Sequence, residues 1–180
     1  MSSVKCIACC VQIIDVGTTR FVSKKKEIHR KTIYIGWEIL SNIDTTPMKK
    51  EVVYKLFTLR WDKNSSLRKN VERWNGGKLS EEQQRRFDLK SLLSRYCQLT
   101  VERSPDWADH RASKIERVDA LPANIESKSL TKPSTQFHLF RISEPDIDYL
   151  GQLPINIQKK IKGSPEFKWA IGNAGINAEA

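Results

Sequence analysis

Residues 31–40 read Lys-Thr-Ile-Tyr-Ile-Gly-Trp-Glu-Ile-Leu. Apolar and polar side chains alternate along this stretch, which is the pattern of a β-strand with one buried face. The predicted core face carries Ile33, Ile35, Trp37 and Ile39, and the opposite face carries Thr32, Tyr34, Gly36 and Glu38. We expect the second face to be half-exposed, so that the ring of Tyr34 is accessible.

Four other segments have strand patterns, which brings the total to five. They are residues 4–16, 51–61, 96–103 and 111–119. In the 51–61 segment, we expect the face that carries Phe57 to be buried. Tyr54 and Arg60 then lie on the opposite face.

A helical passage separates the third predicted strand from the fourth. Its apolar residues recur at helical spacing and are Leu67, Val71 and Trp74. Ser65 or Ser66 can cap this helix, and Ser80 begins a capping-box pattern for a second helical element. Five strands with a helix in this position follow the order of the OB barrel. We therefore predict a mainly β fold, a five-stranded OB-fold barrel with a helical insert between strands 3 and 4.

The composition changes after Leu121, where Ser, Thr, Lys and Pro become frequent and apolar residues become rare. The predicted units are an OB-fold domain at 1–121, a linker at 122–136, a C-terminal extension with a helix at 137–172 and a mobile tail at 173–180. Ile157 and Ile161 indicate the helix of the extension, and a last turn carries Phe167 and Trp169. The pattern is compatible with an extension that packs on its own barrel and with one that packs on a second copy in a homodimer.

The four cysteines invite a metal or redox interpretation. Cys6, Cys9 and Cys10 form a cluster near the N-terminus, and Cys97 is the only other thiol. On a strand, Cys6 and Cys10 face one side and Cys9 faces the other, so three thiolates cannot converge on one ion. We interpret them as small core residues in a reducing compartment and expect neither a metal nor a cofactor.

The chain is basic, with 31 Lys and Arg against 21 Asp and Glu and a net charge of +10. Residues 1–60 hold 11 basic and 5 acidic side chains, which is six of the ten excess charges. The densest run is predicted to be a loop that joins the first two strands. Its cations are Arg20, Lys24, Lys25, Lys26, Arg30 and Lys31. A charge run of this kind is typical of a solvated loop, and it also suits a polyanionic partner.

Signatures of catalysis and of membranes are mostly missing from the sequence. No Gly-x-Ser-x-Gly elbow or His-x-x-x-His pair occurs, and we expect a protein that is not an enzyme. Asp106, Asp109 and His110 suggest a metal-dependent nuclease only as a minor alternative. No stretch approaches the roughly 18 apolar residues of a membrane span, and no signal peptide opens the chain. We therefore expect a protein of the cytoplasm without a membrane partner.

The pattern favours single-stranded nucleic acid as the partner. Such ligands need cations that follow the phosphates and flat side chains on which the bases stack. The predicted phosphate contacts are Arg20, Lys24, Lys25, Lys26, Arg30 and Lys31. The predicted stacking and cation–π contacts are Tyr34, Tyr54 and Arg60.

Several short motifs, in order along the chain, resemble a known family. They are Val16-Gly17-Thr18, Ile35-Gly36-Trp37-Glu38, Ser66-Leu67-Arg68-Lys69, Phe87-Asp88-Leu89-Lys90-Ser91-Leu92-Leu93, Cys97-Gln98-Leu99-Thr100-Val101 and the stretch from Leu153-Pro154 to Glu166. This succession resembles the small phage and prophage single-stranded DNA-binding proteins, often labelled replication initiation proteins. The resemblance implies an OB fold and sequence-tolerant binding of single-stranded DNA during phage replication or recombination. It also implies replication or recombination proteins as partners, a bacterial host cell and no catalytic activity.

One alternative comes from another class of protein. A basic OB-like scaffold also suits a phage-encoded interaction factor, which would act as an inhibitor or adaptor of a host protein. A tight protein partner that survives nuclease treatment would distinguish this alternative from DNA binding.

Overall fold

The structure is a computed structural model, and it describes residues 3–23, 26–42, 51–102 and 114–173. The strands are β1 (Ser3–Ser23), β2 (Lys26–Asn42), β3 (Val52–Thr58), β4 (Tyr96–Glu102), β5 (Lys114–Asp119) and β6 (His138–Phe140). The helices are α1 (Ser66–Trp74), α2 (Glu81–Arg85), α3 (Ile147–Gln152), α4 (Ile155–Gly163) and α5 (Pro165–Asn173), with 3-10 turns at Leu89–Leu92 and Ser127–Ser129. Among these helices, none combines the length and the apolar character needed to cross a membrane.

The strands form one open sheet in the order β3-β2-β1-β4-β5, with β6 also paired to β1. All pairs are antiparallel except β1 with β6. The two edges lie close together, and Lys55 Nζ on β3 donates a hydrogen bond of 3.2 Å to the carbonyl oxygen of Glu116 on β5. The predicted mainly β fold is confirmed. The predicted closed barrel is not, because no backbone hydrogen-bond ladder joins β3 to β5 among the described residues.

β1 is the central strand, and it is buried on both faces. Every residue from Cys6 to Ile14 is buried, including both the even-numbered and the odd-numbered positions. Continuous apolar strands of this kind need a packing layer on each side of the sheet. β1 therefore organises two hydrophobic cores, one on each face.

The first core lies on the face predicted from residues 31–40. Ile33, Ile35, Trp37 and Ile39 are all buried there, as predicted. Helix α1 covers this core, with Ser65 as its N-cap and with Leu67, Val71 and Trp74 pointing inward. The indole Nε1 of Trp74 donates a 2.9 Å hydrogen bond to the carbonyl oxygen of Tyr96, which satisfies its only polar atom. The predicted capping box at Ser80 is also confirmed.

The four cysteines are buried and form no disulfide, as the core interpretation expected. Cys6, Cys10 and Cys97 belong to the first core, whereas Cys9 does not. Burial raises the pKa of the Cys9 thiol to about 11, and the nearby Glu38 carboxylate adds to this shift. Burial also raises the pKa of the Cys10 and Cys97 thiols, so these three thiols are protonated at neutral pH and act as small apolar side chains.

The second core lies on the opposite face of β1 and β2 and is built by the C-terminal part of the chain. It joins Ile14 and Val16 of β1 to buried residues of the extension, namely Phe140, Ile142, Leu150, Leu153, Ile157, Ile161 and Phe167. The extension also contributes strand β6 to the sheet. The expected last turn near Trp169 is a complete helix, α5, and α3 precedes the helix predicted from Ile157 and Ile161.

A buried carboxylate fastens the segment predicted as a linker to the sheet. Glu38 on β2 is 1 % exposed. Its oxygens accept hydrogen bonds from the backbone N–H and hydroxyl of Ser134, at 2.8 and 3.0 Å, and from the backbone N–H of Thr135 at 2.6 Å. Burial alone would raise the pKa of Glu38, but these hydrogen bonds outweigh it and lower the pKa below its ordinary value.

We expect Glu38→Gln to reduce the free energy of unfolding at pH 7 by about 2 kcal/mol. The side-chain NH2 of Gln would face the donors of Ser134 and Thr135, which need an acceptor. The wild-type carboxyl has a lower pKa folded than unfolded, so its contribution is complete above the ordinary Glu pKa of about 4.3. It is lost as the pH falls through the folded-state pKa. Urea unfolding of both proteins between pH 7 and pH 3 tests this. A stability difference that does not shrink at low pH would contradict it.

Candidate nucleic-acid interface

The basic segment that we predicted as a loop is a two-stranded β-ribbon. β1 and β2 continue their antiparallel pairing from Thr18 opposite Lys31 to Ser23 opposite Lys26. We call residues 18–23 and 26–31 the arm. The loop prediction is wrong because strand-favouring side chains, Phe21 and Val22 on β1 and Ile28 on β2, lie among the cations and let both strands extend. The predicted contacts Lys24 and Lys25 lie outside the described residues.

The described cations of the arm are exposed and lie on both of its faces. They are Arg20, Lys26, Arg30 and Lys31. Directly opposed residues of a ribbon share a face, so Arg20 lies with His29, whereas Arg30 lies with Thr19 on the other face. Both faces of the arm therefore carry positive charge.

One of these cations is partly neutralised within the arm. Arg20 Nη2 lies 2.8 Å from Glu27 Oε2, and His29 Nε2 lies 2.8 Å from Glu27 Oε1. Both partners of the Arg20 pair are well exposed, so solvent screens the interaction and a competing anion can replace it. Lys26 and Arg30 form no ion pair with any described residue. They are the cations most readily available to phosphates.

The base of the arm is fixed to helix α5. The backbone N–H and the hydroxyl of Thr18 donate to the two carboxylate oxygens of Glu166, at 2.9 and 2.6 Å. A register shift between Asp15 and Gly17 marks a β-bulge, and Gly17 has a φ of +72°. A Cβ at Gly17 would lie 2.7 Å from Ile142 Cδ1 and 2.8 Å from Glu166 Oε2. The bulge therefore needs glycine for its conformation and for the close approach of α5.

We expect Gly17→Ala to lower the free energy of unfolding by about 1–3 kcal/mol, because the substitution combines a left-handed backbone with a steric clash. Gly151→Ala is the matched control, since the space around Gly151 in α3 is open and alanine favours a helix. Urea unfolding monitored by circular dichroism measures both. Equal stabilities of the two variants would show that the bulge tolerates a side chain.

The predicted stacking residue Tyr34 does not lie on an exposed face. It is 8 % exposed and belongs to the second core, beneath the C-terminal helices. The expectation that this face is half-exposed is wrong, because Ile14 and Val16 on the neighbouring strand make the same face apolar. Tyr34 is therefore a core residue.

Tyr54 is also engaged in the structure. Its hydroxyl donates a 2.6 Å hydrogen bond to Gln12 Oε1, and its ring meets Tyr34 edge to face with centroids 6.4 Å apart. Burial raises the pKa of Tyr54 to about 12. Half-buried and bonded in this way, Tyr54 supports the second core.

Arg60 lies just beyond the end of β3 and next to the base of the arm. The N–H of the preceding Leu59 donates a 2.8 Å hydrogen bond to the carbonyl oxygen of Lys31. The Arg60 guanidinium is exposed and lies 2.9 Å from Asp62 Oδ2. It also borders a cleft of about 370 Å³, lined by Leu59, Arg60, Trp61, Leu67, Phe87, Asp88 and Leu89. Of the three residues predicted for stacking and cation–π contacts, only Arg60 is exposed.

Comparisons with known proteins assign no family. The chain matches no protein-family model, no curated protein and no solved structure. Within the described residues, no three His, Cys, Asp or Glu side chains are grouped as metal ligands. The nuclease alternative on Asp106, Asp109 and His110 falls outside those residues. The exposed cations are therefore the feature on which a function can be argued.

Trp169 is an exposed aromatic residue that the sequence analysis did not propose for binding. It lies on α5 and is 70 % exposed. The helical spacing of Phe167, Ala170 and Ile171 defines the packed face of α5, and Trp169 falls off that face. That spacing was the signal in the sequence, but recognising it required a complete helix where we expected a single turn.

We expect Tyr34→Ala to lower the free energy of unfolding by about 3 kcal/mol, because it empties a ring-sized space in the second core. Tyr34→Leu, which fills much of that space without a ring, should leave any affinity for single-stranded DNA unchanged. Urea unfolding and fluorescence anisotropy with an oligo-dT measure the two effects. A large loss of affinity in a folded Tyr34→Leu protein would indicate that Tyr34 contacts the DNA.

Proposed function

We propose that this protein binds single-stranded DNA without strong sequence preference and that the arm provides the phosphate contacts. The observation that carries the proposal is the set of exposed cations on a ribbon that extends from the body of the sheet. Cations spaced along an extended element can follow a phosphate backbone without reading its bases. Arg60 adds an exposed guanidinium, paired with Asp62, just beyond the end of β3, where the backbone N–H of Leu59 bonds to the carbonyl oxygen of Lys31.

The strand order supports an OB-type barrel as the scaffold. β1 pairs with both β2 and β4, α1 lies between β3 and β4, and the outer strands β3 and β5 approach each other. The resemblance to phage single-stranded DNA-binding proteins agrees with this scaffold. We therefore place the activity in phage DNA replication or recombination, where single strands need protection.

We also propose that binding is not accompanied by catalysis. Both described histidines are engaged, His29 with Glu27 and His138 in a ring stack on Tyr149 with centroids 3.4 Å apart. Burial raises the pKa of the Cys9, Cys10 and Cys97 thiols, so none of these three is a ready nucleophile. These observations favour a binding protein.

We expect the affinity for an oligo-dT to fall with salt, with a log-log slope of about −0.7 per neutralised phosphate. Replacing Lys26 and Arg30 together by Gln should weaken binding at low salt and flatten the slope by about 1–1.5, because two phosphate contacts are lost. Fluorescence anisotropy at several salt concentrations measures both values.

The matched control replaces Lys128 and Lys132 by Gln, which removes the same net charge from the 122–136 segment. If the control flattens the slope as much as the arm variant, binding depends on total charge and the arm is not the site. If wild type does not bind the oligonucleotide at all, the function is wrong. A protein partner captured after nuclease treatment would then favour the interaction-factor alternative.

A further inference from the structure

Trp169 is an unusual surface residue because most of its large aromatic side chain contacts solvent. At 70 % exposure it is far more accessible than Trp37 or Trp74, which are 1 % and 3 % exposed. Within the described part of the chain, no ring stacks on the Trp169 indole and no cation lies over it. Core packing therefore does not account for a tryptophan at this position.

The position of Trp169 relates it to the arm. Residues three apart on a helix are neighbours, so Trp169 lies one turn from Glu166 on adjoining sides of α5. Glu166 is the residue that holds the backbone and hydroxyl of Thr18 at the base of the arm. Trp169 therefore lies one helical turn from the contact that fixes the base of the arm, and the exposed Lys168 precedes it.

Three other aromatic rings, those of Tyr34, Tyr54 and Trp61, are less suited to receive a ligand. Tyr34 is buried, and Tyr54 is half-buried with its hydroxyl bonded to Gln12. The ring of Trp61 is stacked on Phe87, with centroids 4.2 Å apart and planes 10° from parallel. Trp169 thus combines an unoccupied ring face with a position one helical turn from the base of the arm.

We propose that Trp169 is a stacking platform for a nucleobase of the single strand whose phosphates contact the arm. This inference rests on the proposed function and adds a base contact to it. Stacking on an exposed ring is independent of base identity, because every nucleobase has a flat π-face. The fixed link between Glu166 and Thr18 keeps the platform and the phosphate contacts at one relative position. The site therefore uses a helix of the C-terminal part, although the cations come from the N-terminal part.

The decisive experiment combines a substitution in the protein with a change in the oligonucleotide. Trp169→Ala and wild type are each titrated with a labelled oligo-dT and with an abasic oligonucleotide of the same length and charge. We expect the substitution to weaken oligo-dT binding by about tenfold. The abasic oligonucleotide, which has phosphates but no bases, should bind both proteins equally.

Two further variants separate stacking from an effect on folding or on surface polarity. Trp169→Phe keeps a flat ring and should recover most of the lost affinity. Ile155→Ala removes another exposed apolar side chain, 61 % exposed on α4, and should leave the affinity unchanged. Urea unfolding should show Trp169→Ala to be as stable as wild type, because the indole makes few packing contacts.

The possible results distinguish this inference from the proposed function. If wild type binds oligo-dT and Trp169→Ala binds it equally well, the platform is wrong while DNA binding stands. An equal loss of affinity for both oligonucleotides would also overturn it, since the indole would then act through the backbone contacts. If wild type binds neither oligonucleotide, the proposed function itself fails. Quenching of tryptophan fluorescence by oligo-dT should be smaller in Trp169→Phe than in wild type, and unchanged quenching would count against stacking on this ring.

Discussion

The burial of β1 on both faces is the constraint on which the rest of the structure depends. A strand whose residues from Cys6 to Ile14 are all buried cannot lie at a solvated surface of a sheet. Helix α1 covers one face, and the three C-terminal helices cover the other. The C-terminal part is therefore integral to the fold, because without it Ile14, Val16 and Tyr34 would be exposed to water.

The C-terminal helices, which we call the second layer, determine where a ligand can bind. The sheet face with Tyr34 and Tyr54 would otherwise offer aromatic side chains, but the C-terminal helices pack on it. The cations that remain accessible lie farther along the same two strands, where β1 and β2 extend past the layer as the arm. Glu166 joins the two regions through Thr18, so the layer that covers the sheet face also fixes the base of the arm. The proposed interface is consequently at the edge of the second core.

Local patterns in the sequence predicted much of the first core. The alternation of residues 31–40, the spacing of Leu67, Val71 and Trp74 and the capping box at Ser80 each depend on near neighbours in the chain, and each is confirmed. The cysteines also behave as a strand pattern predicts. Predictions of this kind succeed because strand and helix periodicity fix which side chains share a face.

The second core could not be predicted in the same way because its contacts join distant parts of the chain. Tyr34 has polar and small neighbours on its own face, Thr32, Gly36 and Glu38, which indicate partial exposure. In the structure, Thr32 bonds to Thr19, and Glu38 receives its hydrogen bonds from Ser134 and Thr135, about a hundred residues away. One sequence signal did exist, since the run of apolar residues up to Val16 covers both faces of β1. The sequence did not indicate that the ribbon extends through Arg20 and Arg30, because so high a density of charged residues is more typical of a loop.

The central claim is that single-stranded DNA contacts the arm and the adjoining flank of α5, whereas the sheet face with Tyr34 stays covered. Backbone amide hydrogen exchange with and without a saturating oligo-dT tests it most directly, because exchange reports on each segment of the folded chain. The account predicts slower exchange at described residues of the arm and of α5, with no change at residues 32–38. Faster exchange in the C-terminal helices together with protection of residues 32–38 would contradict it, because the DNA would then displace the second layer and bind the sheet face.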